Sequence, residues 1–171
     1  MFVGQSINKK EARRRVIMGQ VSLKGKNAIV TGASRGIGAE IAYLLAIRGA
    51  VVLGTYLSRE RRMMQVCMRA QAEGGVIVPL AADITESDDR LQIFQRATDQ
   101  FQRVDFLILN AAGGLERERS NDPQWPMRIN KEAQLALVEL LLPLLRPAGK
   151  IVYLTSVWAH RLGEGRTAPA L

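Results

Sequence analysis

Residues 31–38 read Thr31-Gly32-Ala33-Ser34-Arg35-Gly36-Ile37-Gly38, between the short apolar run Asn27 to Thr31 and a helical pattern. Three glycines at a strand-to-helix junction have separate tasks. The first permits a tight turn and the second lets backbone approach a diphosphate closely. The third lets helix and sheet pack with no Cβ between them. N–H groups at the helix start then hold the phosphates. A plain structural turn is the alternative, but strand, spacing and helix agree here. A mononucleotide P-loop is excluded, because Gly38 is followed by Ala39 and Glu40 rather than Lys and Ser or Thr. The stretch predicts phosphate or dinucleotide binding.

Outward from this turn, apolar runs alternate with amphipathic ones. Ile37, Ile41, Leu44 and Leu45 mark one face of the first helix, which Gly49 ends. Ala50 to Thr55 is a second strand, and Arg59 to Glu73 a helix closed by Gly74 and Gly75. Val76 to Pro79 is a third strand. Ser87 caps a helix carrying Leu91, Phe94 and Phe101, and Val104 to Leu109 is a fourth strand. A long helix follows, with Ile129, Ala133, Ala136, Leu137, Leu140, Leu141, Leu144 and Leu145 at helical spacing. Gly149 breaks it, Lys150 to Thr155 is a fifth strand, and the rest reads as loop. Nearly continuous apolar strands predict burial on both faces. Strict β–α alternation predicts right-handed crossovers and an α/β, doubly wound parallel sheet of about five strands.

A chain of 171 residues, 47% hydrophobic and 23% charged, has room for one packed domain and excludes a disordered one. We divide it into a basic tail, 1–20, and a dinucleotide-binding domain, 21–171. The most apolar stretch, Leu135 to Leu145, is interrupted by Glu139 and Pro143 and is shorter than the ~20 residues a membrane span needs. No membrane span is expected. Half of the net charge of +8 sits in the tail, where Lys9, Lys10, Arg13, Arg14 and Arg15 face only Glu11. A solvated tail is the favoured reading. A nucleic-acid or membrane-surface role, an organellar presequence, and a start at Met18 stand as alternatives. No apolar h-region marks a secretory signal. Cys67 is the only cysteine and His160 the only histidine, so neither an internal disulfide nor a structural metal site is expected. Cys67 reads as a small core residue and the compartment as reducing cytosol.

The order T-G-x-x-x-G-x-G differs from the general G-x-G-x-x-G and resembles the short-chain dehydrogenase/reductase family. The resemblance runs from about Leu23 to Ser156. It continues through Asp83, Asn110-Ala111-Ala112-Gly113, Asn130 and Ser156, each placed after the expected element. It implies a Rossmann fold and hydride transfer between a nicotinamide and a carbonyl or alcohol carbon. Gly32, Ser34, Arg35, Gly36, Ile37 and Gly38 would hold the diphosphate. Asp83, followed by Ile84, would lie beside the adenine; a capping turn with Thr85 is the alternative. Asn110 to Gly113, with Ala111 where the family has a second Asn, would take the ribose while Asn110 ties neighbouring loops together. A plain turn explains Gly113 and Gly114 equally well. Ser156 would orient the substrate oxygen, and the Asn130 carbonyl would hold a water of the proton path. An ordinary strand-end hydroxyl is the alternative for Ser156.

Charge argues for the form of the cofactor. The second strand ends Gly54-Thr55-Tyr56-Leu57-Ser58-Arg59, with no acid before Glu60. An NAD-selective site places a carboxylate here, and a 2′-phosphate needs hydroxyls and cations. Tyr56, Ser58, Arg59 and Arg35 therefore favour NADP(H) over NAD(H). The alternative is that Arg59, Arg61 and Arg62 form a solvated helix face.

The family's Tyr-x-x-x-Lys is not found. Tyr43 is followed four residues on by Ile47, Tyr56 by Glu60 and Tyr153 by Val157. The fold is thus read as C-terminally incomplete, its fifth strand an exposed edge, and little or no turnover is expected of this chain. A non-catalytic or vestigial dinucleotide-binding protein is the alternative, and a nucleic-acid-associated protein using the basic tail a further one. The substrate is expected to be a small carbonyl or alcohol. Trp125, Trp158 and the segment Leu115 to Pro126 border its pocket or are only packing or surface residues. The resemblance also implies pairing of two copies through the long helix. Burial of Ile129 to Leu145 against the sheet explains that apolar face as well.

Overall fold

A computed structural model of the chain describes residues 21–113 and 124–155. Among them, five strands form one parallel sheet in the order β3-β2-β1-β4-β5. The strands are β1 (Asn27–Val30), β2 (Val51–Tyr56), β3 (Val76–Ala81), β4 (Val104–Leu109) and β5 (Leu145–Tyr153). Helices α1 (Gly36–Ile47), α2 (Glu60–Gln71), α3 (Ser87–Phe101) and α4 (Ala133–Leu141) connect them. The order reverses at β1, so the crevice between the carboxyl ends of β1 and β4 is where such sheets receive ligands.

Alternation along the central strands builds a core on each face. Ala28, Val30, Val52 and Ile108 pack with Ala39, Ala42, Tyr43, Ala46, Met63 and Ala70 on the α1–α2 side. Ile29, Leu53, Leu107 and Leu109 pack with Ile93, Ala97, Phe101, Leu137 and Leu141 on the α3–α4 side. Each fully buried Val, Leu, Ile or Met among them contributes about 1.5–3 kcal/mol.

Several sequence expectations are corrected. The inward face of α1 is Gly38, Ala39, Ala42, Tyr43 and Ala46, whereas Ile37 is 65% exposed and Ile41, Leu44 and Leu45 are half-buried. The helix lies so close to the sheet that small residues occupy the contact and larger ones flank it. β3 runs past Pro79 to Ala81 and is only half-buried, because it is an edge of the described sheet. An edge is also where a proline is tolerated. Ser87 is the first residue of α3 and caps nothing; Glu86 precedes it without a side-chain cap. Leu91 points to solvent, while Ile93, Ala97 and Phe101 are buried. Cys67 is half-buried and packs against the core on the α1–α2 side, and burial pushes its thiol pKa up.

The long helix runs without a gap to Leu144 but is not uniformly α-helical. A single turn at Trp125–Met127 leads into a π-helical turn at Arg128–Glu132, then α4, then a 3-10 turn at Leu142–Leu144 containing Pro143. Leu145 already belongs to β5, pairing with Val104 before a register shift; the regular ladder then runs from Phe106 with Lys150 to Leu109 with Tyr153. β5 is the other edge of the described sheet, with Ile151, Val152 and Tyr153 exposed.

At the amino ends of the strands, the buried carboxylate of Asp105 draws three segments together. Its Oδ1 accepts from Lys26 Nζ at 3.0 Å and lies 3.3 Å from Arg146 Nε. Its Oδ2 accepts the Asn27 N–H at 3.0 Å. Burial alone would raise the Asp105 pKa, but the Asn27 N–H and the two cations outweigh it and hold the carboxyl below its ordinary value.

Candidate functional site

A cleft of about 880 Å³ opens at the carboxyl ends of β1, β2 and β4. Gly32, Ser34, Arg35, Gly36 and Ile37 form one wall; Tyr56, Leu57, Ser58, Arg59 and Arg62 form another. Ala82, Asp83 and Ile84, with Asn110, Ala111, Ala112 and Ile129, complete it.

The glycine turn has the backbone that its sequence requires. Gly32 and Gly36 have φ of +67° and +56°, where a side chain is strained. A Cβ at Gly36 would meet nothing within 4 Å, so the space beside this backbone is open to a ligand. Gly38 faces the other way. A Cβ there would lie 2.3 Å from Asn110 Nδ2 and 2.4 Å from the Gly32 carbonyl oxygen. Only a glycine lets α1 start this close to β4. Arg35, extended at φ −156°, precedes the helix, whose first turn carries no acid.

Neutral hydrogen bonds fix the turn. The Thr31 hydroxyl oxygen accepts the backbone N–H of both Asn110 and Ala111 at 2.9 Å. Asn110 Nδ2 donates to the carbonyls of Thr31 at 2.9 Å and Gly32 at 3.1 Å. Ala33 N–H donates to the Thr55 carbonyl at 2.7 Å, tying the turn to β2. The Asn110 side chain thus links the loops after β1 and β4.

Asp83 combines two situations. Its Oδ1 accepts from the Thr85 N–H at 3.0 Å and the Thr85 hydroxyl at 2.7 Å, an Asx-type turn. Its own N–H donates to Asp89 Oδ2 at 2.7 Å. The same residue lines the cleft. Among the described lining residues it is the only carboxylate, against Arg35, Arg59 and Arg62. Arg61 does not line the cleft, which separates it from its two neighbours.

Three of the sequence candidates do not reach the cleft wall. Gly38 lies behind it. Gly113 packs against Trp125, where a Cβ would sit 3.2 Å from the indole Nε1. Asn130 holds Gly113 through both amide atoms: Oδ1 accepts its N–H at 3.2 Å and Nδ2 donates to its carbonyl at 3.1 Å. The Asn130 carbonyl oxygen accepts the Tyr153 hydroxyl, whose pKa burial raises. Ser156, Trp158, His160, the basic tail and 114–123 lie outside the described residues. Among the described residues, no group of three or more His, Cys, Asp or Glu could hold a metal, and no helix is long and apolar enough to cross a membrane.

Sequence reasoning did not assign Thr55, Leu57, Arg62, Ala82 or Ile129 to the site. Arg62 could have been found, since it lies one helical turn beyond Arg59. Thr55 is buried with no partner for its hydroxyl, a condition that only the packed structure reveals.

The geometry agrees with what comparison with known proteins finds. The family model described as short chain dehydrogenase matches residues 26–168. Hydroxynaphthalene reductase-like protein Arp2 of Metarhizium majus is 35% identical over 146 residues, covering 83% of this chain and 55% of that protein. The chain spans about half the length of the curated relatives it matches. A solved short-chain dehydrogenase/reductase from Serratia marcescens superposes with a TM-score of 0.78 at 29% identity, over 87% of this chain and 62% of that one. A short chain dehydrogenase from Burkholderia cenocepacia, solved in complex with NADP, gives 0.72 at 30% identity, over 84% and 60%.

Proposed function

The chain belongs to the short-chain dehydrogenase/reductase family, and from that premise we propose that its cleft holds NADP(H). It would form the cofactor-binding part of an oxidoreductase acting on small carbonyl or alcohol substrates. The observation that carries this reading is the meeting, around one cleft, of the open backbone at Gly36 with Ser58, Arg59 and Arg62. When bound, the cofactor supplies or accepts the hydride. The backbone of Gly32 to Ile37 would take the diphosphate at the start of α1. Arg35, Ser58, Arg59 and Arg62 would take the 2′-phosphate, where a carboxylate would instead select NAD(H). Tyr56 would border the same ribose. Asp83 and Ile84 would flank the adenine, and Asn110 to Ala112 the adenosine ribose. Gly38 and Gly113 would act from behind the wall, by close packing and through Asn130. Ser156 would orient the substrate oxygen.

One observation favours a second reading, a dinucleotide-binding protein with no hydride chemistry of its own. The Asn130 carbonyl, which the family resemblance gives to a water, accepts the Tyr153 hydroxyl. Calorimetry and a carbonyl-reduction assay test both. We expect NADPH to bind at least about tenfold more tightly than NADH, a difference of about 1.4 kcal/mol. Arg59→Ala combined with Arg62→Ala should abolish that preference and leave NADH affinity as it was. Absence of affinity for either dinucleotide refutes the cofactor assignment; family-typical turnover by this chain refutes the second reading.

A further inference from the structure

The amide of Gln134 fits neither the cleft wall nor the apolar cluster around it. The residue is 2% exposed, in the first turn of α4, close in sequence to the buried Ile129, Ala133, Leu137 and Leu141. Its Nε2 donates to the Ala111 carbonyl, while its Oε1 is buried with no partner. Chemistry fixes this orientation. A carbonyl oxygen only accepts, so turning the amide would set two acceptors against each other. An aliphatic side chain of similar size would fill the site without an orphaned acceptor, whose desolvation goes uncompensated. The polar residue is therefore a liability to folding, set against its bond to Ala111.

Ala111 and Ala112 line the cleft. From the strand side, Thr31 Oγ1 accepts the Ala111 N–H at 2.9 Å. From the helix side, Gln134 takes the Ala111 carbonyl, and Asn130 takes the Gly113 N–H and carbonyl. Asn130 and Gln134 are four residues apart across the π-helical turn, where the Ala133 N–H reaches back five residues to the Arg128 carbonyl. Two amide side chains of one helix face thus grip both ends of the three-residue segment 111–113, of which Ala111 and Ala112 line the cleft.

We infer that Gln134 is a positioning residue for the cleft, orienting the Ala111 peptide so that the wall fits a bound dinucleotide. This rests on the dinucleotide reading above. Gln134→Leu removes a bond and an orphaned acceptor together, so its melting temperature should stay within a few degrees of the parent. Its NADPH dissociation constant should rise about three- to tenfold, within the range of couplings carried by residues that do not touch the ligand. Gln134→Glu gives a second readout. A neutral carboxylic acid can donate to the Ala111 carbonyl and a carboxylate cannot. NADPH affinity of the Glu variant, relative to the parent at each pH, should therefore fall as pH rises.

Amide hydrogen exchange at Ala111 and Gly113, without cofactor, should quicken in Gln134→Leu. A Leu variant that binds NADPH like the parent overturns the inference. Should that variant fail to fold, the Glu variant decides, and an affinity tracking the parent at every pH overturns it. Should the parent bind neither NADPH nor NADH, the cofactor assignment falls by itself. Exchange at Ala111 and Gly113 then decides alone whether Gln134 sets this wall, and unchanged rates in folded Gln134→Leu, or in Gln134→Glu if that variant alone folds, mean that it does not.

Discussion

The two ends of β1 and β4 are fastened in opposite ways. At the carboxyl ends, neutral groups do the work: the Thr31 hydroxyl, the Asn110 amide and the absent Cβ of Gly38. At the amino ends, the buried Asp105 carboxylate gathers Lys26, Asn27 and Arg146. Charge is an efficient fastener where nothing anionic has to approach. A second buried carboxylate beside the glycine turn would repel a phosphate, so that end is shaped by steric absence and by uncharged hydrogen bonds. The cations of Arg35, Arg59 and Arg62 stand at its rim, where a ligand phosphate would meet them.

The comparison breaks most readily at Gly38. Gly38→Ala places a methyl against Asn110 Nδ2 and the Gly32 carbonyl, and overpacking of this kind costs about 1–3 kcal/mol or more. Because the strain falls on the turn itself, NADPH affinity should drop at least about tenfold beyond any loss of folded protein. Calorimetry beside thermal melting separates the two. Unaltered affinity would show that the close approach of α1 to β4 does not shape the cleft.

Asp105→Ala should do the reverse. It leaves the Asn27 N–H and Lys26 without their acceptor, at a cost of about 1.5–3 kcal/mol, read as a lower urea midpoint. The folded fraction should bind NADPH as before. A parallel loss of affinity would mean that the two ends are coupled through β1 and β4.

The smallest effect is on acid stability. The folded Asp105 pKa is depressed, so its contribution is complete above the unfolded value of about 4 and is lost as pH falls through the folded value. Urea melts between about pH 6 and about pH 3 should show a shallower acid decline in Asp105→Asn than in the parent. Equal slopes would remove Asp105 from the account.

How much of this was legible in the sequence depended on what each signal measures. β4 was read to the residue, because Val104 to Leu109 is a buried run bounded by turns. The glycine turn was read in place, since its spacing encodes backbone need. The face of α1 was misread because hydrophobicity ranks Ile37 and Leu44 above Ala39 and Ala42, whereas close packing on a sheet selects small residues. The run from 129 to 145 looked like one helix because a 3.6-residue period cannot register the wide turn at Arg128–Glu132. Gln134 left no sequence trace: an amide in an apolar helix reads as surface, and its burial is a tertiary fact.

Thr31 carries one more consequence. One oxygen atom accepts two adjacent peptide protons from the neighbouring loop, so tolerance at this position is set by chemistry rather than by volume. Serine retains the acceptor in a smaller shell, while valine copies the outline and strands both protons. A survey of all substitutions there would rank by presence of a hydroxyl, and similarity of shape would predict almost nothing.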